Sequence, residues 1–548
     1  MQKAEKVGTM FAALRSNIAR PSSVNGASCA EQEGIIKATR LFDRRTLLFL
    51  LAATLYLYGF LFIPPFTPIL YNGDGLVLLG DAQRMWNGEV MYRDFFQFST
   101  PGTALVDFTL FKIFGLRSWI PNLALLLLGL ALAWLGVVVA KKVMRPSLAL
   151  FPSTLFLVGV YRNLLDATHH WYSLLTAMAA IAVLIDRRTP ARIAVAGFFC
   201  GLTACFTQAR GLAIVLALGV FLWWESRRQE GGWRELLKKQ GWLLSGFLPT
   251  IVGVNARFVW KAGLARFLWC TVVFGLKYHH KQVDENSFWV ITNDLPRFAW
   301  HFSILFRIAA WLLIDVIVPF IPLLFFGYYW RRSGHKPKEN WERPMLLAIA
   351  CFLMVLSVAP APASIRTASC SLPGILLLVW FLDSPRKLCR AAVAAATAGI
   401  LLLLPHAVAR VQSVSREVFS TPRGLLAVED PISQEQYSWI LGHVHVSEYL
   451  YEMGAPWLYY YLDLRNPTPL PLLTNCGYTP PEQVDEAIEG LERHQARYVL
   501  WSPSWAESIE PWEAPADNHL APLRDYMRRH YRMIKVFDNS EEVWERYN

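Results

Sequence analysis

Long apolar runs recur along the chain from Leu47 to His406 and then stop. A helix needs about 20 apolar residues to cross a bilayer, and shorter runs cross where the bilayer thins or polar flanks reach out. The runs predict spans at about Leu47–Ile63, Trp119–Ala140, Leu148–Tyr161, Trp171–Ile185, Ile193–Phe206, Leu212–Trp224, Trp242–Trp260, Ile304–Tyr329, Met345–Val358, Ser371–Leu382 and Ala391–His406. The predicted fold class is a polytopic α-helical membrane protein of about eleven transmembrane helices, followed by a small C-terminal α/β domain outside the cytoplasm. Residues 1–45 read as a polar, basic, cytoplasmic and largely disordered tail. Residues 46–406 form the membrane domain, with a long first external loop at 66–118, and residues 407–548 form the water-facing domain.

The loops between the spans fix the expected orientation. Lys141-Lys142-Arg145, Arg187-Arg188-Arg192, Arg227–Lys239, Arg331–Arg343 and Arg386–Arg390 fall on every second turn and share a side with the basic tail. Cytoplasmic loops carry the excess of Lys and Arg, so these are the expected cytoplasmic loops. An odd number of spans then places the C-terminal domain outside, in the periplasm or its equivalent. From Ala407 onward acidic residues exceed basic ones by about nine, so the +11 of the whole chain leaves about +20 on the membrane part. The basic residues sit in short loops, so topology explains the charge and nucleic acid is not an expected partner.

Composition agrees. Hydrophobic residues make up 54% and charged residues only 17%, against about a quarter charged in soluble domains. Eight cysteines form no framework: Cys200, Cys205, Cys270, Cys351, Cys370 and Cys389 lie in or beside apolar runs, Cys29 is in the tail and Cys476 is alone in the C-terminal domain. No CxxC pair or Cys/His metal spacing appears. About 45 polar residues precede the first run, which reads as a retained signal anchor rather than a cleaved signal.

Three external loops hold the polar groups. In Tyr71–Leu116, Asp81–Gly88 and Thr103–Phe114 read as helices, with Phe95, Phe96 and Phe98 as expected interfacial anchors. The second loop is Arg162–His170, and the third, Lys261–Arg297, carries Lys277, His279, His280 and Lys281. Polar groups collected at one membrane face are where a membrane enzyme places its chemistry. In the C-terminal domain, Glu448–Tyr451 and Arg497–Trp501 read as strands and Met533–Phe537 with Glu542–Tyr547 as a hairpin. Pro481–His494 has helical spacing, with Thr479 as its expected cap. No Gly-rich phosphate loop is present.

The first loop also carries Gly73-Asp74-Gly75, Asp81-Ala82-Gln83-Arg84, Gly88-Glu89, Tyr92-Arg93-Asp94 and Pro101-Gly102. This order resembles the first external loop of the GT-C glycosyltransferases, which include protein O-mannosyltransferases and lipid A aminoarabinose transferases. The family pattern places an acidic pair near the end of the first span and a double proline later. Here Asp74 matches the first acid, Gly75 stands at the second, and Thr100-Pro101 stands at the double proline. His169-His170-Trp171, Gln208-Ala209-Arg210-Gly211, Arg366 ahead of Pro373, and Arg465-Asn466-Pro467-Thr468 resemble further segments of bacterial members, so the likeness runs along nearly the whole chain after Leu47.

The resemblance implies transfer of a sugar from a polyprenyl-phosphate carrier to an acceptor hydroxyl of a lipid, glycan or protein, with inversion. It implies Asp74 as general base, with Asp81 or Asp94 as the other candidate acids. It implies Arg366 and Arg210, then Lys277 and Lys281, as cations for the donor phosphate, and His169, His170 and Arg162 as substrate contacts. It requires no cofactor and leaves room for a divalent cation. The residues alone also admit plainer roles: a helix cap for Asp81, a loop anchor for Asp94, packing for the histidines, headgroup contact for Arg366 and a solvated face for the lysines. A transporter or lipid flippase would show internal repeats and charges deep within spans, and neither is evident. A membrane-anchored binding protein would not need the long polar first loop.

Overall fold

A computed structural model describes residues 43–229, 232–281, 308–333, 341–383, 411–454, 456–474, 478–506 and 519–547, with a few single positions between 391 and 409. The tail before Asp43, the predicted span Ala391–His406, Cys29, Cys389 and Cys476 lie outside the described residues or on scattered positions among them.

Helix α1 spans Arg44–Leu61. A two-residue hairpin of β1 (Phe62–Ile63) and β2 (Thr67–Pro68) follows. The loop that continues from it holds α2, Asp74–Trp86, and α3, Gly102–Phe114. The membrane helices continue as α4 (Ile120–Val143), α5 (Phe151–Gly159), α6 (His169–Leu184), α7 (Pro190–Phe206), α8 (Gln208–Arg228) and α9 (Trp233–Ala262). After them come α10 (Val318–Ser333), entered through a π-helical turn at Leu312–Ile317, α11 (Glu342–Val358), the short α12 (Ser364–Ala368) and α13 (Ser371–Leu382). Ten of the predicted spans therefore coincide with described helices. Five helices are long and apolar enough to cross a membrane by length and composition, and α7 and α13 are shorter apolar ones.

The protein is a polytopic α-helical membrane protein with a small C-terminal α/β domain, the predicted class. Exposed apolar stripes mark the lipid side: Leu48, Leu51 and Leu55 on α1, and Leu244, Leu248 and Val252 on α9. These are i, i+3 and i+4 spacings, one face of a helix, and they stay uncovered because lipid tails satisfy them. At one end of the bundle the predicted cytoplasmic loops are tied together. Lys142 pairs with Asp186 at 2.6 Å, Arg343 with Asp186 at 3.1 Å, and Arg188 with Glu225 at 2.9 Å and Glu342 at 3.1 Å. Those loops thus share one face.

The C-terminal domain holds β3 (Glu417–Thr421), β4 (Gly424–Val428), α14 (Pro431–His443), β5 (Leu450–Glu452), α15 (Pro481–His494), β6 (Tyr498–Trp501), α16 (Ala521–His530), β7 (Tyr531–Val536) and β8 (Glu542–Arg546). Its four-stranded sheet has the order β5-β6-β8-β7. The β5–β6 pair is parallel, with α15 between the two strands in the chain, and the other pairs are antiparallel. The predicted hairpin is β7–β8. Thr479 is not the cap of α15: Pro480 holds the cap position, and the Thr479 hydroxyl donates instead to the Thr474 carbonyl at 2.8 Å.

This domain packs on the loop between α1 and α4 and on the segment after α9. Phe96 N–H donates to Pro469 O at 2.7 Å, Arg84 to Thr468 O at 2.9 Å, and Tyr460 O–H to Arg117 O at 2.8 Å. Leu70 N–H donates to Ala427 O at 2.8 Å, so the β3–β4 hairpin rests on the start of the loop. From the third loop, Phe274 meets Tyr478 edge-on, with ring centroids 5.1 Å apart. Phe95 and Phe96 are therefore core residues, 1% and 3% exposed, and not membrane anchors. Phe98 is half-buried and stacks on Phe274.

Candidate functional site

Asp74 is the first residue of α2, and Gly73 precedes it in an extended conformation. The turn between α5 and α6 folds back onto this end. There the Asp166 carboxylate accepts the backbone N–H of Gly75 at 2.9 Å. A side-chain carbon at Gly73 or at Gly75 would fall inside contact distance of the same carboxylate. Both positions are glycine because Asp166 fills the space. The acid missing at Gly75 is thus matched by one from 91 residues further along.

Asp74 is open to solvent at its surface, yet protein surrounds it closely enough that burial raises its pKa, against the lowering effect of the Arg366 charge. Burial, then the neighbouring Asp74 charge, pushes Asp166 up to about 7, while the backbone N–H groups of Gly75 and Asp74 pull it back. Two like charges this close cannot both ionise easily, so the pair titrates as a unit.

Arg366 lies half-buried on α12, donating to Ala361 O at 3.3 Å. Next to it, Thr367 O–H donates to Asp315 on the π-helical turn at 2.8 Å, which fixes α12 against that span. Arg210, at the head of α8, is 1% exposed. It donates to Ser173 Oγ at 2.8 Å, to His170 O at 3.3 Å and to Arg366 O at 3.1 Å. These bonds join α6, α8 and α12 and hold the Arg366 backbone in place, while the Arg210 Nε is buried with no hydrogen-bond partner among the described residues. Gln208, in the same motif, donates to Phe98 O at 3.2 Å and Thr271 O at 3.3 Å, tying loops one and three.

His169 and His170 open α6, with ring centroids 4.0 Å apart. The Thr168 hydroxyl caps the helix by accepting from His170 N–H at 3.3 Å, and it lies 3.1 Å from His169 Nδ1. His170 is buried and His169 half-buried, within electrostatic reach of Arg366, Arg210 and His279. His279 arrives from the third loop, its ring 4.9 Å from Phe98.

The other candidates lie elsewhere. Arg162 packs over Phe60 at 5.1 Å and reaches Tyr56 on α1, tying the α5–α6 turn to the first helix. Lys277 is exposed, its ammonium 5.1 Å from the Tyr278 ring centroid, in a solvated position. Lys281 is half-buried in the one-turn 3₁₀ helix His279–Lys281. Asp81 is not a helix cap. It sits inside α2, 2% exposed, and accepts from Gln97 Nε2 at 2.6 Å. Burial pushes it up to about 7. Asp94 closes a turn by accepting Val90 N–H at 2.7 Å, and its pairing with Arg93 lowers its pKa. Thr100, where the family pattern has proline, donates to Ala204 O at 3.1 Å and pins the loop to α7.

Among the described residues, no group of three or more His, Cys, Asp or Glu side chains could hold a metal ion. Cys200, Cys205, Cys270, Cys351 and Cys370 are buried free thiols.

No protein-family model matches the sequence, and no curated protein matches it at a significant level. Solved structures do. The chain is similar to ArnT from Cupriavidus metallidurans in the apo state, with a TM-score of 0.58 and 12% identity, over 91% of this chain and 97% of that one. It is similar to the same protein bound to undecaprenyl phosphate, with a TM-score of 0.53, 12% identity and the same coverage. At this identity the likeness establishes the fold: the chain shares the fold of ArnT along nearly its whole length.

Proposed function

We propose that the protein is an integral membrane glycosyltransferase that moves a sugar from a polyprenyl-phosphate carrier to an acceptor hydroxyl on the outer face of the membrane. The observation that carries the reading is the Asp74–Asp166 pair at the head of α2 with Arg366 in electrostatic range. Support comes from a fold shared with ArnT, one of whose structures is bound to undecaprenyl phosphate.

In this reading Asp74 is the general base that takes the acceptor proton. A base works best when its pKa approaches the working pH, and burial raises that of Asp74 against the lowering effect of Arg366. Asp166 holds the head of α2 and shares the proton. Attack from the face opposite the departing phosphate inverts the anomeric carbon. Arg366 neutralises the phosphate as the glycosidic bond breaks, by a charge-assisted fork that suits phosphate oxygens. Arg210 positions Arg366 through its carbonyl, and His169 hydrogen-bonds sugar or phosphate. The N-terminus is cytoplasmic and the C-terminal domain external.

The test uses full-length protein in nanodiscs with a panel of radiolabelled undecaprenyl-phosphate sugars and an envelope glycolipid extract as acceptor. Transfer that disappears in Asp74→Asn supports the reading. Full transfer by that variant, or translocation of the labelled lipid without transfer, refutes it.

A further inference from the structure

A recess lies between α2 and the C-terminal domain, with a volume of about 630 Å³. Small-molecule sites fall in the range of about 300–1,000 Å³. Its wall on one side is Val77, Gly80, Asp81, Arg84 and Asn87, spaced along one stripe of α2. Asp74 begins that stripe, about 10 Å from Asp81 at 1.5 Å per residue. A ligand lying in the recess therefore runs along the helix that presents Asp74.

The lining is polar and balanced in charge. Five guanidinium groups meet five carboxyl groups there. Arg84 pairs with Glu89 at 2.7 Å, Arg93 with Asp94 at 2.8 Å and Arg266 with Glu486 at 3.8 Å. A phosphate site would carry more cations than carboxyl groups, and here their numbers are equal. Here paired forks and carboxylates offer donors and acceptors in near equal number, which suits the vicinal hydroxyls of a sugar. Two exposed guanidinium groups, Arg465 and Arg493, stand outside these pairs on the domain side. Between them Tyr449 stacks on His494, with centroids 4.1 Å apart and planes at 28°, both half-buried. A rigid aromatic face with a polar edge takes the C–H face of a pyranose.

We infer that this recess binds the acceptor, and that the acceptor is a neutral, hydroxyl-rich glycan chain held between α2 and the Tyr449–His494 stack. The inference rests on the glycosyltransferase reading and adds the acceptor class to it. Its subsite lies on the C-terminal domain, so that domain selects the acceptor while the membrane helices bind the donor.

Saturation-transfer NMR on the full-length protein in nanodiscs tests this without requiring turnover. The probes are linear trisaccharides of mannose, glucose, galactose and N-acetylglucosamine, with inorganic phosphate as a competing anion. At least one trisaccharide should receive saturation. The signal should fall at least fivefold in Tyr449→Ala and in Arg465→Ala/Arg493→Ala, the latter two side chains being exposed, and persist in Asp74→Asn. No transfer to any trisaccharide, a signal unchanged in both variants, or displacement by millimolar phosphate overturns the inference. Because Asp74→Asn keeps the recess, loss of glycosyl transfer with binding intact separates the two readings.

Discussion

Asp166 and Gly75 are 91 residues apart in the chain, and the carboxylate of one accepts the backbone N–H of the other at 2.9 Å. That bond brings a second acid to the start of α2 and explains why the position after Asp74 has no side chain. Any β-carbon at Gly75 drives Asp166 away. Gly75→Ala is expected to lower transfer at least about tenfold while leaving the fold intact, since general-base contributions run to about 10²–10⁴. Circular dichroism and a nanodisc transfer assay, read together, check it.

Asp74→Asn removes the base at constant size and is expected to lower the rate by about 10² or more. The donor's binding should change little, which a filter-binding assay with labelled undecaprenyl phosphate measures. Equal loss of donor binding and rate would instead assign Asp74 to the donor.

The pH profile follows from the pair. The base works only when deprotonated, and Asp166 stands at about 7 with Asp74 also raised. Transfer should therefore fall as pH drops through about 7, with the apparent value belonging to the pair. In Asp166→Asn the like charge is gone, so the limb should move to lower pH even as the maximum rate falls.

Stability should carry its own pH signature. Burial pushes Asp81 up to about 7 and Asp107, with the Asp81 charge second, up to about 8. An unfolded Asp titrates at about 3.9, so the folded state holds these protons more tightly. Their stabilising effect is complete below about pH 4 and is lost as pH rises through 7 and 8. The melting temperature in nanodiscs should be lower at pH 8.5 than at pH 6, and Asp107→Asn should flatten that slope.

Arg210→Ala removes the charged bonds from α8 to Ser173 on α6 and to the Arg366 carbonyl on α12, although the Ser173 and Ser369 hydroxyls still donate to the His170 and Arg366 carbonyls. A hydrogen bond from a charged group is worth about 1.5–3 kcal/mol, so a drop of several degrees in melting temperature is expected, together with weaker donor binding through Arg366. A variant of unchanged stability and donor affinity would remove Arg210 from its positioning role.

Much of this was legible in the sequence, for reasons that differ by element. Apolar runs and alternating basic loops are local signals, and ten spans and the shared face of the Lys142, Asp186, Arg188 and Arg343 loops followed from them. The β7–β8 hairpin and α15 were readable from periodicity. Asp430-Pro431 offered a helix start for α14, the Asp side chain accepting Ser433 N–H at 2.8 Å, and Thr421–Gly424 offered the β3–β4 turn; both signals went unread. The Asp166 partnership had no local signal, because only the fold brings the α5–α6 turn to α2. Burial of Phe95 and Phe96 was hidden likewise: a loop rich in aromatics looks membrane-bound until the domain covering it is known.

The bonds from Phe96 to Pro469, Arg84 to Thr468 and Tyr460 to Arg117 have a bearing on how such chains diverge. The first external loop and the last quarter of the sequence form one interface although some 350 residues separate them. Neither can be exchanged alone between relatives without stranding the other's backbone partners. A hybrid that inherits residues 66–118 from one parent and 407–548 from another should misassemble, whereas one that inherits both segments together should fold, so new specificity must be passed on as a linked pair.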